Sequence, residues 1–218
     1  FQMGSSIGEE DEEPVHNVTL DGYWIAETEV TQELWESVMY STIEDINNSY
    51  GWGLYGFGDN YPMYYVNYFE ALEFVKKLSK LTGRTYSLPT EAQWEFAALG
   101  GNKSNGYVFS GGDVVDKFAW YYDNSKESVH PVKSKGPNEL GLYDMSGNVW
   151  EWCLDWYGSY SDMPQINPIG SDGGSSRILR GGGWSSYDEN CRVTDRGRNA
   201  PDYHRSNNGF RIVCNVTD

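Results

Sequence analysis

NELGLYDMSGNVWEWCLDWY, residues 138–157, constrains the architecture of the chain more than any other stretch. Its second half alternates between aromatic and acidic side chains. In an extended segment, Trp150 and Trp152 therefore point to one side and Glu151 to the other. The stretch predicts a strand that contributes two large aromatic side chains to the core.

The first half of the same stretch contains the ligand types of a calcium site. Asp144 and Glu151 are hard oxygen donors, and Gly141 and Gly147 allow turns that direct backbone carbonyls inward between them. Calcium binds oxygen ligands of this kind in flexible geometry. The alternative is that both carboxylates cap turns or form ion pairs with arginines such as Arg180.

Outside this stretch, the sequence predicts few long regular elements. The best helix runs over 67–81, where apolar residues recur on one face, Asn67 and Glu70 form a capping box, and Gly83 ends the helix. Shorter helices are predicted after the N-caps Thr31 and Thr90. Strands are predicted over 16–20, 23–30 and 209–216, whereas 8–14, 41–66 and most of the chain beyond Leu99 are predicted to be loops.

Composition limits the class of protein. The 218 residues include 25 glycines and 16% aromatic residues, so we predict one loop-rich domain over 1–218 with a core of Trp, Tyr and Phe. A net charge of −16 argues against nucleic acid as a partner, and no apolar run is long enough to span a membrane. Cys153, Cys191 and Cys214 are too few for a disulfide scaffold and predict buried thiols with one bridge at most.

Four stretches together resemble the family of formylglycine-generating enzymes and their relatives. They lie in the family's order and cover nearly the whole chain: FQMG with ETEVTQELW, at 1–4 and 27–35; SLPTEAQWEFAALGG, at 87–101; NELGLYDMSGNVWEWCLDWY; and RILRGGGW…CR…R…GFR, within 177–211. The resemblance implies an α+β, C-type-lectin-like fold of the formylglycine-generating-enzyme type, rich in irregular loops with short strands and two or three helices. It also implies a calcium site formed by Asp144, the carbonyls of Gly147 and Val149, and Glu151.

The resemblance to enzymes stops at the residues that perform catalysis. The formylglycine-generating branch binds copper through two cysteines that follow a Gly-Gly-Ser-aromatic motif, because Cu(I) requires soft thiolate ligands. The corresponding segment, 183–190, contains no cysteine, and Cys191 stands in a Cys-Arg pair that is structural in relatives. A second branch uses iron and the histidines of an additional helical domain, whereas His16, His130 and His204 lie far apart in this sequence. We therefore expect no copper, no iron and no enzymatic activity.

The polar window, defined as residues 177–211, contains a scaffold motif near each end. The segment between these motifs resembles an antibody paratope in composition. RGGGW and NNGFR supply Trp184 and Phe210 for the core and Arg180 and Arg211 for internal ion pairs. Between them, Tyr, Ser, Asn, Gly, Asp and Arg predominate, as in paratopes. Seven of the eight arginines and no lysine lie in the window, and arginine favours interfaces. The alternative is an ordinary solvated loop region.

The window is also similar to the variable region of surface proteins that retroelements diversify, of the Treponema variable protein A type. In such proteins a reverse transcriptase mutates template adenines, so that an Asn codon yields Tyr, Asp, Ser, Gly, Arg, His, Thr or Ala. Glu189 does not fit an Asn codon and is expected to be fixed. The positions that fit, and that we predict to bind ligand, are Ser185, Ser186, Tyr187, Asp188, Asn190, Asp195, Gly197, Arg198, Asn199, Asp202, Tyr203, His204, Arg205, Ser206, Asn207 and Asn208.

These observations predict a non-catalytic ligand-binding protein whose window is diversified by a retroelement to bind varied extracellular proteins or glycans. We expect it at the cell surface or exposed to the periplasm, anchored, as a lipoprotein is, through a segment that precedes Phe1. Two alternatives come from other classes. One is an oxidase or sulfur-transfer enzyme with an unrecognised site, and the other is a structural component of a surface machine.

Overall fold

The computed structural model describes residues 1–216, in which short regular elements alternate with long irregular loops. Helices α1 to α4 span Gln32–Met39, Ile43–Tyr50, Tyr68–Thr82 and Glu91–Ala98. Strands β1 to β10 span Gln2–Met3, His16–Thr19, Tyr23–Ile25, Tyr86–Ser87, Trp150–Trp156, Gln165–Ile166, Arg177–Arg180, Gly197–Asn199, Asn208–Gly209 and Val213–Asn215. The α+β fold class is as predicted, and within 1–216 no helix has the length and apolar character needed to cross a membrane. The assignment of 1–218 to one domain stays a prediction, because residues 217 and 218 lie outside the described range.

Local capping explains where three of the helices begin. Before α1, Thr31 Oγ1 accepts a hydrogen bond from a backbone N–H of the first turn (3.2 Å). At α3, the side chains of Asn67 and Glu70 accept from each other's backbone N–H groups, at 2.9 Å in both directions. Thr90 and Gln93 do the same at α4, at 3.2 and 2.9 Å. These bonds satisfy N–H groups that have no partner within a helix, and the three predicted starts are confirmed.

Helix α2 lies in the segment 41–66, which the sequence predicted to be a loop, so that prediction was wrong. Thr42 Oγ1 accepts from Asp45 N–H (3.1 Å), and Asp45 Oδ2 accepts from Thr42 N–H (2.8 Å). Gly51, at φ 71°, ends the helix in the left-handed region. The Thr-x-x-Asp pattern was the available signal. The Asn and Ser residues of this helix have low helix propensity, which obscured it.

The largest sheet joins the stretch 138–157 to both ends of the polar window. Its strand order is β8-β7-β5-β9. Strand β5 runs antiparallel to β7, with Glu151 opposite Arg180, and parallel to β9, with Glu151 opposite Gly209. The window therefore contributes β7 and β8 on one side of β5 and β9 on the other.

Two smaller sheets have the strand orders β1-β2-β6 and β3-β10-β4. The predicted strands were correctly placed but too long. Strand β3 covers only Tyr23–Ile25 of the predicted 23–30. The predicted strand over 209–216 divides into the end of β9 and β10, because the chain leaves one sheet and enters another between them.

Aromatic side chains fill the main core, as the composition predicted. Trp152, Trp184 and Phe210 are buried. Phe210 packs edge-to-face against Phe74, with ring centroids 5.1 Å apart. Such pairs stabilise a core beyond the area that they bury. Trp150, predicted to be buried, is only partly so, because its indole extends into the polar window.

Charged side chains complete the core as ion pairs. The two carboxylate oxygens of Glu151 accept hydrogen bonds from Arg211 Nε and Nη2, both at 2.6 Å, and both residues are fully buried. Arg180, also fully buried, pairs with Glu95 and has its Nε 3.7 Å from Glu91 Oε1. A buried charge that lost its partner would be strongly destabilising. The prediction that Arg180 and Arg211 each form an internal ion pair is confirmed.

The acidic stretch 8–14 is largely exposed, as predicted for a solvated loop, with the exception of Glu12. Glu10–Glu12 form one 3₁₀ turn, and the side chain of Glu12 is buried. Arg192 donates to both carboxylate oxygens of Glu12, at 2.6 and 3.1 Å. Burial alone would raise the pKa of Glu12, but the hydrogen bonds from Arg192 hold it below its ordinary value. The two residues are 180 positions apart, so no local pattern reveals the pair.

Truncation of the core tests this packing. We expect Trp152→Ala and Phe210→Ala each to lower the free energy of unfolding by about 3–5 kcal/mol, because each leaves a large cavity. Trp24→Ala is the matched control, since that indole is 66% exposed, and it should change the free energy by about 0.5 kcal/mol or less. Denaturant titrations give the three values. Losses no larger than that of Trp24→Ala would contradict the core assignment.

Candidate ligand-binding site

Residues outside the polar window hold its backbone in place. Several carbonyl oxygens of the window accept hydrogen bonds from backbone N–H groups of such residues, and three of these carbonyls lie in the segment 201–207. Tyr68 N–H donates to Pro201 (3.0 Å), Tyr65 N–H to Arg205 (3.1 Å) and Trp150 N–H to Asn207 (2.7 Å). Every residue type carries a backbone carbonyl, so these bonds do not depend on the side chains of the window.

Part of the window lines a concave site with a cavity volume of about 590 Å³. This volume is typical of small-molecule sites, which measure about 300–1,000 Å³. The site brings together the segment 202–207, one serine from the start of the window and two aromatic residues from outside it. The lining residues are Trp52, Tyr65, Ser185, Asp202, Tyr203, His204, Arg205, Ser206 and Asn207.

An aromatic wall, defined as Tyr50, Trp52 and Tyr65, borders the concave site. Tyr50 stacks on Trp52 with ring centroids 4.3 Å apart, and Trp52 lies 4.5 Å from Tyr65. His204 packs 5.2 Å from Tyr50 and 5.5 Å from Trp52. The wall belongs to the segment 41–66, and sequence reasoning missed it. Its only local signal was a density of Tyr and Trp that is equally typical of a core.

His204 is the most constrained of the predicted site residues in the concave site. Its Nε2 lies 3.0 Å from Glu70 Oε2 and 3.1 Å from Asn67 Nδ2, and 14% of its side chain is exposed. By contrast, Asp202 and Arg205 are exposed, and within residues 1–216 their side chains form no hydrogen bond. The Arg205 guanidinium lies over the Tyr203 ring, 5.1 Å from its centroid, and the hydrogen-bonding groups of both side chains are available to a ligand.

The predicted site residues do not all lie on this one surface. Tyr187 and its neighbour Asp188 are exposed on a separate patch, where the Tyr187 ring lies 5.4 Å from that of Tyr122. Arg198 and Asn199 belong to β8, at the opposite edge of the sheet from β9. Of the sixteen positions, seven are exposed and three are buried. The six that are partly exposed are Asn190, Gly197, Asn199, His204, Ser206 and Asn207.

The expected exposure was wrong for Ser186, Asp195 and Asn208, which are buried. Ser186 Oγ accepts a hydrogen bond from Trp150 Nε1 (3.0 Å), and Asp195 lies 3.5 Å from Arg192. Asn208 lies in β9, and its side-chain amide has no hydrogen-bond partner within the described residues. The polar composition of the window concealed these positions, because paired polar side chains such as those of Ser186 and Asp195 also serve inside a fold. No pairing within residues 1–216 accounts for the burial of Asn208.

Gly197 is a further position where the side chain is dictated by packing. A Cβ atom added there would lie 2.7 Å from the Trp150 ring, too close for any other residue without a shift. A glycine codon can arise from an Asn codon, but any larger residue at position 197 would clash with the Trp150 ring.

Most arginines of the window act inside the fold, which corrects their interpretation as interface residues. Arg196 donates to both carboxylate oxygens of Glu91, at 2.7 and 2.9 Å. Arg180, Arg192 and Arg211 form the ion pairs described above. The guanidinium fork suits buried carboxylates as well as interfaces, so composition alone could not distinguish the two. The exposed arginines of the window are Arg198 and Arg205.

The predicted calcium site lies in a buried acidic group to which Arg211 supplies positive charge. Asp144 Oδ2 accepts from Lys133 N–H (2.9 Å). Both oxygens of Glu151 accept from Arg211, and one also accepts from Trp94 Nε1 (2.7 Å). Residues 1–216 contain no group of three or more His, Cys, Asp or Glu placed to hold a metal ion. As arranged, the Glu151 carboxylate is not free for calcium, and the calcium site stays a prediction.

Glu29 is a member of this acidic group that sequence reasoning missed. It is buried and accepts from Val149 N–H (3.1 Å), next to the turn at Gly147. Burial, and then the negative charges of Asp144 and Glu151, raise the pKa of Glu29 well above its ordinary value. Glu29 thus bonds the N–H group of Val149. The resemblance assigns different backbone groups, the carbonyls of Gly147 and Val149, to calcium.

The three cysteines are buried and unbridged. Burial raises the pKa of the Cys153 and Cys191 thiols above their ordinary value. A thiol of this kind is neutral at physiological pH, whereas the nucleophile and the metal ligand are the thiolate.

The ion-paired aromatic core, the four helices and the short strands define an α+β domain of the C-type-lectin-like class. The chain belongs to the family described as the sulfatase-modifying factor enzyme 1-like domain, whose model matches residues 1–216. The resemblance to formylglycine-generating enzymes and their relatives is thereby confirmed.

Two solved structures resemble this chain over nearly its whole length. One is Treponema denticola variable protein 1, with 32% sequence identity and a TM-score of 0.88 over 99% of this chain and 91% of that one. The other is PvdO from Pseudomonas aeruginosa, with 26% identity and a TM-score of 0.82 over 99% of this chain and 91% of that one. The likeness to a variable protein agrees with the resemblance predicted for the window.

Curated relatives include enzymes of greater length. The formylglycine-generating enzyme of Streptomyces coelicolor is 36% identical over 71% of this chain and 52% of the enzyme. The serine/threonine-protein kinase Pkn1 of Chlamydia trachomatis is 33% identical over 99% of this chain and 37% of the kinase. The chain thus spans between about a third and a half of the length of these relatives.

The buried role of Asp195 predicts a pH dependence of stability. Burial raises the pKa of Asp195 from 3.8 to about 6, against the opposing effect of Arg180 and Arg192. The folded state therefore binds more protons than the unfolded state between these values, so stability falls as pH rises from about 4 to 7. In Asp195→Asn, the decrease in the free energy of unfolding over this pH range should be smaller than in the wild type by roughly 1–3 kcal/mol.

Denaturant titrations at several pH values measure this difference. Asp188→Asn, at an exposed position, is the control and should follow the wild type. If the free energy of unfolding changes with pH in the same way in the wild type and in Asp195→Asn, Asp195 does not titrate as described.

Calcium addition tests the predicted metal site against the observed ion pair. If Asp144 and Glu151 bind calcium, chelation lowers the melting temperature and added calcium restores it, because a ligand of the folded state stabilises that state. If Arg211 is the permanent partner of Glu151, the melting temperature is the same with chelator and with calcium. Asp144→Asn separates a specific effect, which it abolishes, from a general effect of salt.

Proposed function

We propose that this domain is a non-catalytic ligand-binding protein whose exposed window side chains are diversified by a retroelement. The observation that carries the proposal is the attachment of the window backbone to fixed residues. Tyr65, Tyr68 and Trp150 donate to carbonyl groups of the window, and these bonds persist whatever side chains the window carries. Exposed side chains on such a backbone can change identity without a change of fold.

Exposed positions and buried positions alternate along the window, which limits where diversification is tolerated. Ser185, Asp202, Tyr203 and Arg205 are exposed at the concave site, and each is reachable from an Asn codon. Buried positions such as Ser186 serve the scaffold instead. The proposal therefore assigns variation to the exposed positions and constancy to the buried ones. The 32% identity to Treponema denticola variable protein 1 supports it.

The residues of this chain do not fit the copper chemistry of the enzyme branch. Segment 183–190 contains no cysteine, and Cys191 is buried, unbridged and neutral. Cu(I) requires thiolate ligands, so no pair of soft ligands exists at this place. The similarity to a formylglycine-generating enzyme is accordingly taken as common ancestry of the fold, and we derive no oxidation step from it.

We further propose that the ligand is extracellular and that the domain is displayed at the cell surface or towards the periplasm. Paratope-like composition at the exposed positions, with Tyr for contact area and Ser, Asn and Asp for adaptable hydrogen bonds, suits recognition of varied partners. Fluorescent labelling of intact cells with an antibody against this domain tests the display. Signal only after permeabilisation contradicts it.

Sequencing of the DNA that flanks the coding region tests diversification directly. We expect a reverse transcriptase gene and a near-copy of the segment that encodes 177–211. The near-copy should carry adenines at the exposed codons. At the codons of Ser186, Asp195, Gly197 and Asn208 it should match the coding sequence, because these side chains are built into the fold. Absence of the reverse transcriptase gene and of the near-copy contradicts the proposal.

Two matched sets of substitutions test whether the exposed side chains are dispensable for folding. The exposed set replaces five residues with others reachable from Asn codons. The buried set does the same at three buried positions and at Gly197, where an added side chain would meet the Trp150 ring. We expect the exposed set to keep the free energy of unfolding within about 1–2 kcal/mol of wild type, and the buried set to lose more than about 3 kcal/mol. The exposed set is Ser185→Asp, Tyr187→Ser, Asp202→Ser, Tyr203→Ser and Arg205→Ser, and the buried set is Ser186→Tyr, Asp195→Ser, Gly197→Asp and Asn208→Asp.

Denaturant titration of both variants gives the comparison. If the exposed set fails to fold, or loses as much as the buried set, the window is structural throughout and the diversified-receptor proposal is wrong.

A further inference from the structure

We propose that the concave site binds the terminal residue of an uncharged glycan, with a fixed aromatic wall and a variable set of hydroxyl-binding side chains. This inference rests on the proposed function and names its class of ligand. It starts from the composition of the lining. Three of the nine lining residues are aromatic and six are polar, and none is aliphatic.

A lining without aliphatic residues favours a sugar over a protein side chain. Protein hot spots are apolar or aromatic anchors that fill well-packed, desolvated pockets. A sugar instead presents hydroxyl groups around its edge and C–H groups on its faces. Hydroxyl groups need polar partners, and C–H faces pack on aromatic rings. The concave site offers both in one cavity, because polar side chains and the half-exposed ring of Tyr203 line it. Trp52 and Tyr65 line it too, but Trp52 is stacked between Tyr50 and Tyr65, so its faces are not open to a sugar.

The charges of the concave site favour an uncharged ligand. Asp202 and Arg205 contribute one charge of each sign, and His204 is held against Glu70. The site is therefore balanced, although the chain as a whole has a net charge of −16. A strongly anionic ligand would meet the repulsion of that net charge, and a strongly cationic one would meet no surplus of carboxylates in the cavity.

Planar polar groups of the site are available for adjacent hydroxyl pairs. The Asp202 carboxylate and the Arg205 guanidinium form no hydrogen bond within residues 1–216. Asn207 Nδ2 donates to Ser185 Oγ (3.0 Å), which leaves the amide oxygen and the serine proton for a ligand. Groups with two parallel donors or acceptors bind partners in a bidentate manner, which gives specificity as well as affinity. Neighbouring hydroxyls on a sugar ring suit them.

The aromatic wall lies outside the polar window, so it is constant when the window varies. Trp52 is held between Tyr50 and Tyr65, at 4.3 and 4.5 Å between ring centroids. Its orientation is thus set before a ligand binds, which lowers the entropic cost of binding. A constant wall with variable polar neighbours predicts that different variants bind different sugars of the same chemical class.

Binding to an array of defined, immobilised glycans tests the inference. The purified domain should bind a subset of neutral glycans that share one terminal residue. Asp202→Ala combined with Asn207→Ala should weaken this binding at least about tenfold, as expected for the loss of about 1.4 kcal/mol of hydrogen bonding. Asp188→Ala is the matched control, since Asp188 is exposed but lies outside the concave site. It should bind as the wild type does.

Thermal melts of each variant establish that it is folded. Tyr203→Ala provides a second, independent variant, because an exposed ring can be removed without loss of fold, and it should also weaken binding. Two results overturn the inference: a folded wild-type domain that binds no glycan of the array, or glycan binding that the cavity variants leave unchanged. Either result leaves diversification standing, because that proposal depends on the flanking DNA and on the stability of the exposed set.

Discussion

The buried ion pair between Glu151 and Arg211 is the interaction on which the rest of the structure depends. Glu151 lies in an inner strand of the largest sheet, and both of its oxygens accept hydrogen bonds from Arg211. Arg211 also donates to the carbonyls of Ala26 and Tyr143. A charge removed from water needs such partners, so three distant parts of the chain must assemble for the pair to form. The C-terminal end of the polar window is fixed in consequence.

A second buried arginine fixes the other end of the window. Arg180 stands opposite Glu151 in the sheet and pairs with Glu95 of α4. With both ends attached and its carbonyls bonded to fixed residues, the window has a defined path. A rigid path with exposed side chains is the physical requirement for a binding surface that tolerates many sequences. Under the proposed function, the protein thus separates the residues that determine its fold from those that determine its ligand.

Sequence reasoning succeeded where the determinants are local and failed where they are distant. The caps at Thr31, Asn67 and Thr90 involve residues three positions apart, and their helices begin as predicted. The pairing of Glu12 with Arg192 spans the chain, so no local pattern indicates that the acidic stretch and the arginine-rich window meet. Within the window, composition identified exposed polar residues but could not separate them from buried ones such as Asn208. That distinction depends on which strand each residue joins.

Native-state hydrogen exchange tests most directly whether the backbone of the window is held independently of its side chains. The amide protons of Tyr65, Tyr68 and Trp150 are bonded to carbonyls of the window and report on its path. Exchange would be compared between the wild type and the variant with all five exposed substitutions. The account predicts equal protection of these three amides in both proteins. Loss of protection at the three, with the other strands and helices unchanged, would show that the variable side chains themselves hold the window in place.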